Sequence, residues 1–396
     1  MKLLFKLVCL LSLTLSGQLY ANPESEGYSS AYENELLKII TTLQSGQLAS
    51  ALQQTEAHLK TYPKSRAAYL IKADLLTAMS SPLATVGPSN FDQTKELQGV
   101  IHQLKNRLAH TRQREILSND MLPASLIEMG DHQHVLVSDM SSGRLYLYES
   151  TAEGPMLLRD YYLTVGSAGY GKQVEGDNKT PIGVYSMYRY IASNELPDLY
   201  GAGAFPVDYP NLIDRYHKRT GYGIWLHGTP STTYARSPWA SEGCFVLSND
   251  DFDDISPFID VEIKTPVILS EEITWISRDA LNAKREMYLS LLNTWKSDWE
   301  SLDSEAYLAH YSRDNFNLGK ADFTKWAQAK RRTNQSKTFI QIDLEVNSLF
   351  VYPGEQDMFV VNYTQRYLSN NYHSEAEKKQ YWQKDASGQW RIIYEG

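Results

Sequence analysis

The chain has 396 residues, 42% hydrophobic and 21% charged, with 47 acidic against 38 basic side chains and a formal charge of −9. That length exceeds one average domain, and the ordinary globular composition excludes an intrinsically disordered chain. The acidic balance argues against nucleic acid and anionic membrane surfaces as partners, since both would repel it.

Residues 1–21 read MKLLFKLVCLLSLTLSGQLYA. Lys2 and Lys6 make a basic start, residues 7–15 a short apolar stretch, and small and polar residues follow. This pattern predicts a secretory signal cut after Ala21. The apolar stretch falls well short of the roughly 20 residues that span a bilayer, and no other transmembrane segment is expected. Cleavage would remove two lysines, taking the formal charge from −9 to −11, and would also remove Cys9. Cys244 is then the one thiol of the exported chain, without a partner for an internal disulfide.

Residues 25–111 are helical in character. Apolar side chains recur at three- and four-residue spacing over 33–43 and 48–59, with Ser45-Gly46 between and Tyr62-Pro63 after. A third helix is expected over 67–79 and a fourth over 91–111, across a loop at 82–90. Gly46, Ala51, Leu59, Pro63 and Ala68 resemble one tetratricopeptide unit. A single unit cannot bury both its faces, so residues 22–120 read as a helical accessory region that packs on its neighbours.

From residue 132 the period becomes two. HVLVSDMSSGRLYLYES predicts two strands around a Ser-Ser-Gly turn, and MLLRDYYLTVG and GVYSMYRYI predict more. The pattern ends near VEIKTPVILS, which outlines a β-rich domain over residues 130–272. The 27 tyrosines, against 11 phenylalanines, suit such β structure. His132 and His134 alternate onto one strand face without Cys, Asp or Glu at ligand spacing, so no metal is expected there. NDDFDD at 249–254 lacks the Gly and Glu positions of a calcium loop and reads as a solvated helix start.

Residues 278–396 begin with a long helix at 278–299 and a shorter one at 303–311. TFIQIDLEVNSLFVYP, DMFVVNYTQRYLS, EKKQYWQKD and WRIIYEG then predict four strands. Helices followed by a curved antiparallel sheet make an α+β cone, a layout that resembles the nuclear-transport-factor-2-like fold. The chain as a whole is therefore predicted to be an α+β multidomain protein. Fold alone assigns no activity to the cone.

The chemistry concentrates in HGTPSTTYARSPWASEGCFVLSNDD, residues 227–251. A thiol with an ordinary pKa of about 8.5 is mostly protonated near neutrality and needs an imidazole or backbone N–H groups to activate it. His227 ends the apolar strand GIWLHG, and Gly243 lets backbone N–H groups approach a developing oxyanion. Taken singly, His227 reads as a structural histidine and Cys244 as a buried thiol. Together, in an exported chain with one thiol, they read as base and nucleophile.

The same residues resemble the L,D-transpeptidase catalytic domain family over about residues 132–270. Its signature is His-Gly at a strand end, a variable loop and Ser-x-Gly-Cys, here His227-Gly228 and Ser241-Glu242-Gly243-Cys244, with an upstream TPxG at Thr180-Pro181-Ile182-Gly183. The resemblance implies Cys244 as nucleophile and His227 as general base, oriented by the Gly228 carbonyl. It implies an oxyanion hole from the N–H groups of Gly243 and Cys244, supported by Ser241. Two departures stand out: Glu242 where members often have His, and Val246 where many have an arginine suited to a substrate carboxylate. Arg236, Arg215, Lys218 and Arg219 are candidates to replace that arginine. Arg236, Thr229, Glu242 and Tyr234 are the candidate substrate-binding residues.

With its C-terminal cone the chain also resembles secreted L,D-carboxypeptidases that trim cell-wall peptides. The expectation is a periplasmic enzyme on peptidoglycan stem peptides and glycan, with no metal or organic cofactor. A Cys244 thioacyl intermediate would pass to an amine, as in an L,D-transpeptidase, or alternatively to water. An inert wall-binding scaffold is the reading from a different class.

Overall fold

The computed structural model describes residues 30–80, 95–117 and 120–396. The predicted signal at 1–21 and loop at 82–90 lie outside the described residues. Four helices come first: α1 (Ala31–Gln44), α2 (Leu48–Thr61), α3 (Arg66–Ser80) and α4 (Lys95–Leu117). The three- and four-residue spacing does what it predicts. Leu36, Ile39 and Ile40 of α1 pack with Ala51 of α2, Ala68 and Ile71 of α3, and Leu104 of α4.

Short strands follow: β1 (Met121–Pro123), β2 (Leu126–Glu128), β3 (His134–Asp139), β4 (Arg144–Thr151), β5 (Gly154–Tyr162), β6 (Val165–Gly166), β7 (Gly183–Ser186), β8 (Ile191–Ala192) and β9 (Gly203–Pro206). After α5 (Leu212–Tyr216) come β10 (Trp225–His227), β11 (Trp239–Ser241), β12 (Phe245–Val246), α6 (Asn249–Ile255), β13 (Pro266–Ser270) and β14 (Trp275–Ser277). They build one sheet in the order β5-β4-β3-β13-β7 and another in the order β12-β10-β9-β8. Leu136, Leu145 and Leu269 of the first share a core with Phe205, Leu226 and Phe245 of the second. Burial on the order of 2 kcal/mol per such side chain holds the second sheet, and with it His227, rigidly on the first.

The C-terminal region contains α7 (Arg278–Glu300), α8 (Ser304–Ala309), α9 (Phe323–Gln335) and four long strands, β15 (Ile340–Val351), β16 (Met358–Ser369), β17 (Tyr372–Lys384) and β18 (Trp390–Glu395). The helix face of this sheet is filled by aromatic side chains, among them Trp295, Trp299, Tyr307, Tyr363 and Trp382. Helix α9 is absent from the expected elements. Its sequence FTKWAQAKRRTNQ fully buries only Ala327 and Asn334, while Phe323 and Trp326 pack half-buried against the core. Asp322 caps it, accepting the N–H groups of Thr324 and Lys325.

Strand β2 also escapes the sequence pattern. It precedes the β-rich domain yet completes the C-terminal sheet, in the order β18-β17-β16-β15-β2, with Leu126 opposite Phe350 and Glu128 opposite Leu349. Strand β1 pairs with β14 at the root of α7.

Two expectations are corrected here. His132 lies ahead of β3 rather than on it, and His134 packs against Phe258 at 5.1 Å, so the two histidines do not share a strand face. The NDDFDD stretch is a helix start, solvated at Asp250, Asp253 and Asp254 but not throughout. Asp251, Phe252 and Ile255 are buried, and Ser248 caps the helix through the Asp251 N–H. No cluster of metal-ligating side chains occurs among the described residues, and no described helix is long and apolar enough to cross a membrane.

Polar seams join the domains. Between the helices and the β-rich domain, Glu33 of α1 accepts from Arg144 at 2.8 Å and Arg107 at 2.9 Å, while Arg144 and His110 meet Asp160. Between the β-rich and C-terminal domains, Arg219 spans Asp214 and Glu355, and Asn211 donates to Tyr352 at 2.7 Å.

Candidate active site

Strands β10 and β12 run parallel, with Leu226 beside Phe245 and His227 beside Val246. Alternation along a strand then places His227, Val246 and Cys244 on one face, opposite to the core-packed Leu226, Phe245 and Leu247. His227 is buried, and its Nδ1 lies 2.7 Å from the Gly228 carbonyl. That carbonyl can only accept, so Nδ1 carries the proton and Nε2 presents a lone pair. Burial pulls the imidazole pKa down to about 4; the Gly228 carbonyl opposes the shift and the charge on Arg236 adds to it. The ring of Tyr200 meets the imidazole edge-on at 5.0 Å.

The Cys244 thiol donates to the Gly223 carbonyl at 3.3 Å, and no hydrogen bond joins it to His227 in this state. Burial pushes its pKa up to about 11, against the Trp225 N–H; Glu242 adds to the rise while Arg236 and Lys172 oppose it. Thiol and imidazole therefore rest as a neutral pair. A turn of the thiol would be needed to bring it onto Nε2.

Ser241 and Gly243 shape the turn before the cysteine. Ser241 Oγ donates to the Cys244 carbonyl and accepts the Gly243 N–H at 3.1 Å. That bond corrects the expected oxyanion pair, because it engages the Gly243 N–H inside the turn and leaves the Cys244 N–H as the remaining expected donor. Gly243 is required for another reason. Its φ is +126°, and a Cβ there would stand 2.9 Å from the Lys179 carbonyl.

Lys179 immediately precedes the TPxG element, which supports the turn structurally. Thr180 Oγ1 accepts the Gly166 N–H at 2.9 Å. Asp177 folds the preceding loop by accepting from Gln173, Val174, Lys179 and the Lys172 ammonium. Burial alone would raise the Asp177 pKa, but these donors hold it at about 2. The floor beneath Cys244 is thus a charged loop already satisfied from within.

The loop from 229 to 240 divides the candidate substrate residues. Arg236 is half-buried, and burial draws its pKa below the ordinary value, with Cys244 and Glu242 acting against that shift. Its carbonyl accepts from Tyr162 and Thr164, and Thr164 exchanges both backbone bonds with Val246. Arg236 is therefore carried one strand away from Val246 and sends its charge toward Cys244. Val246 itself is buried. Of the other cations, Arg219 is committed to Asp214 and Glu355, Arg215 donates to the Pro210 carbonyl, and Lys218 is exposed just beyond α5. Glu242 is exposed beside the thiol.

Thr229 and Tyr234 are corrected as substrate residues. Thr229 is buried and its hydroxyl donates to the carbonyls of Thr233 and Tyr234, tightening the loop. The Tyr234 ring turns away to stack on Tyr32 of α1. Asn249 is the residue that sequence reasoning missed. Its Oδ1 accepts from Ala202 and Thr229 at 3.0 Å, and its Nδ2 donates to the Thr229 carbonyl at 2.9 Å, which ties down the turn that follows His227. Its one sequence signal is its place at the first helical position after the Ser248 cap.

Residues 133–269 match the family model of the L,D-transpeptidase catalytic domain, and residues 287–396 match that of the Cds6 C-terminal NTF2-like domain. The chain thus carries a catalytic domain of a cysteine-dependent, cell-wall-modifying family, joined to an NTF2-like domain. Among solved structures it is similar to Bdellovibrio bacteriovorus Bd1075, at 26% identity over 70% of this chain and 98% of that one, with a TM-score of 0.61. It is also similar to the helical cell shape determining protein Pgp2 from Campylobacter jejuni, at 25% identity over 69% of this chain and 95% of that one, with a TM-score of 0.56. No curated protein sequence matches it.

Proposed function

We propose that the chain is an exported L,D-carboxypeptidase that shortens peptidoglycan tetrapeptide stems. The observation that carries this reading is the neutral His227–Cys244 pair on one face of two parallel strands, with Nδ1 locked on Gly228. Cys244 Sγ attacks the carbonyl of the L-centred third residue as its proton passes to His227 Nε2. The tetrahedral oxyanion takes the Cys244 N–H. Collapse breaks the peptide bond, and the imidazolium returns its proton to the departing amine of the terminal D-amino acid. Arg236 holds the terminal carboxylate of the stem. Water, deprotonated by His227, then opens the thioester and releases the tripeptide stem and the thiol.

Water is favoured as the acceptor by the union of this catalytic domain with an NTF2-like domain, the layout that resembles secreted L,D-carboxypeptidases. Similarity to the helical cell shape determining protein Pgp2 supports a change of cell shape as the consequence. Transfer to an amine, giving a cross-link, is the second reading, and the chemistry up to the thioester is common to both. Mass spectrometry of products from purified tetrapeptide muropeptides, with and without an acceptor amine, separates them. Tripeptide alone supports hydrolysis, and a new amide supports transfer. Undiminished turnover by Cys244→Ala would remove the thioester mechanism, and no turnover by the parent chain would leave a wall-binding scaffold.

A further inference from the structure

The β-rich and C-terminal domains enclose a cavity of about 290 Å³, separate from the Cys244 face. Asp208, Arg215 and His132 line it from one domain, and Lys379 and Tyr381 from the outer face of the C-terminal sheet. Leu212, Phe350 and Val360 supply an apolar wall.

Its polar groups are underused. One Asp208 oxygen accepts the Ser186 N–H at 2.7 Å, and the carboxylate makes no ion pair among the described residues. The Lys379 ammonium makes no hydrogen bond or ion pair among the described residues, although each of the two side chains feels the other's charge. The His132 Nδ1 is buried without a partner. Asp208 is exposed at the cavity mouth and Lys379 half-buried; desolvation raises the Asp208 pKa and lowers that of Lys379.

We propose that this cavity binds a small amino acid as its zwitterion, the ligand ammonium on Asp208 and the ligand carboxylate on Lys379. A simple anion would satisfy Lys379, with Arg215 beside it, and oppose Asp208, and a simple cation would do the reverse. A neutral sugar would leave both charges without a counterion. A zwitterion meets both at once, with the His132 and Tyr381 side chains beside it and the apolar wall against a small side chain. The site goes beyond the chemistry proposed at Cys244 and stands whether or not that chemistry is right.

Calorimetric titration of the full chain with D-alanine, L-alanine and leucine tests this, with propionate, isopropylamine and N-acetylglucosamine as comparison ligands. One saturable site for an amino acid is expected. Lys379→Met and Asp208→Asn should each weaken it at least tenfold, Cys244→Ala should leave it unchanged, and the half-ligands should not saturate. Asparagine retains an oxygen for the Ser186 N–H and Lys379 bonds nothing, so both variants should melt like the parent; Lys379→Gln serves if the methionine variant does not fold. No binding of any amino acid, or binding indifferent to both substitutions, overturns the proposal. Saturable binding of N-acetylglucosamine lost in the same variants makes the cavity a glycan subsite instead and also overturns it.

Discussion

Tyr234, in the loop between His227 and Cys244, stacks on Tyr32 of the first helix with ring centroids 3.9 Å apart and planes 21° from parallel. The same loop touches the helices twice more. A Cβ at Gly99 of α4 would stand 2.1 Å from Ser237 Oγ, and Trp239 lies edge-on to His102 at 5.8 Å. Arg236 sits between these anchors, so the helical region braces the loop whose cation acts on the thiol. Tyr32→Ala should therefore raise KM for tetrapeptide stems more than it lowers kcat. Tyr32→Phe keeps the stack, loses only the 2.8 Å bond to Ser65 at a cost of about 1 kcal/mol, and should retain KM. Equal loss of kcat in both variants would show that the loop does not depend on the stack.

Arg236→Ala is expected to lower kcat/KM by roughly 10- to 100-fold, the loss of a charge-assisted hydrogen bond of about 1.5–3 kcal/mol. Stems whose terminal carboxyl is amidated should feel the substitution little, since they lack the charge that Arg236 meets. Steady-state kinetics on the two substrates provides the comparison, and an equal loss on both would assign Arg236 to folding instead.

The pH dependence follows from the neutral pair. His227 must be unprotonated to accept the thiol proton, and its folded pKa is about 4, so kcat/KM should hold from neutrality down to about pH 5 and then fall. The thiol, raised to about 11, remains protonated through neutrality, so iodoacetamide should alkylate Cys244 slowly at pH 7 and faster as pH approaches 11. Glu242→Gln removes a charge that favours the thiol and should quicken alkylation at a given pH. An acid limb near the ordinary imidazole pKa of about 6.5 would contradict the buried state of His227.

Glu33→Ala should destabilise the protein by about 3–5 kcal/mol, because it removes the buried carboxylate that both Arg144 and Arg107 meet and leaves Asp160 to Arg144. Burial alone would raise the Glu33 pKa, but the two guanidinium groups outweigh it and hold it below the ordinary value. A depressed carboxylate stabilises the fold above its unfolded pKa, and that contribution disappears as pH falls through the folded value. Urea unfolding of parent and variant should thus differ at pH 7 and converge in acid.

Asn249→Ala removes three hydrogen bonds from the turn after His227 and leaves the Thr229 and Ala202 N–H groups unsatisfied. A fall in kcat of tenfold or more is expected, with the imidazole proton resonance of His227 shifted or broadened. Asn249→Asp keeps the acceptor and should recover part of the activity; a loss of stability alone, with kcat intact, would count against a positioning role.

The expected base and nucleophile were legible because each sits in a local pattern: an apolar strand ending in His-Gly, and a Ser-x-Gly-Cys turn. The overall α+β order was legible from the change of hydrophobic period. Long-range partners were not. Tyr234 looked like a substrate residue because its loop is polar, and its partner Tyr32 lies in another domain. Asn249 shows no pattern, since its three bonds reach segments remote in sequence. Helix α9 hides because it fully buries only two small or polar side chains, and β2 is too short to show alternation.

The pairing of β2 with β15 has a consequence for how such a chain can be cut or rearranged. The C-terminal sheet borrows its edge strand from residues that precede the catalytic domain. A fragment beginning at α7 would carry every long strand and still bare the β15 edge, with its unpaired N–H and C=O groups, to any neighbouring copy. The two domains therefore form one covalent loop rather than beads on a string. A gene fusion that moved the C-terminal domain alone would be expected to yield aggregates, and one that began near residue 120 would not.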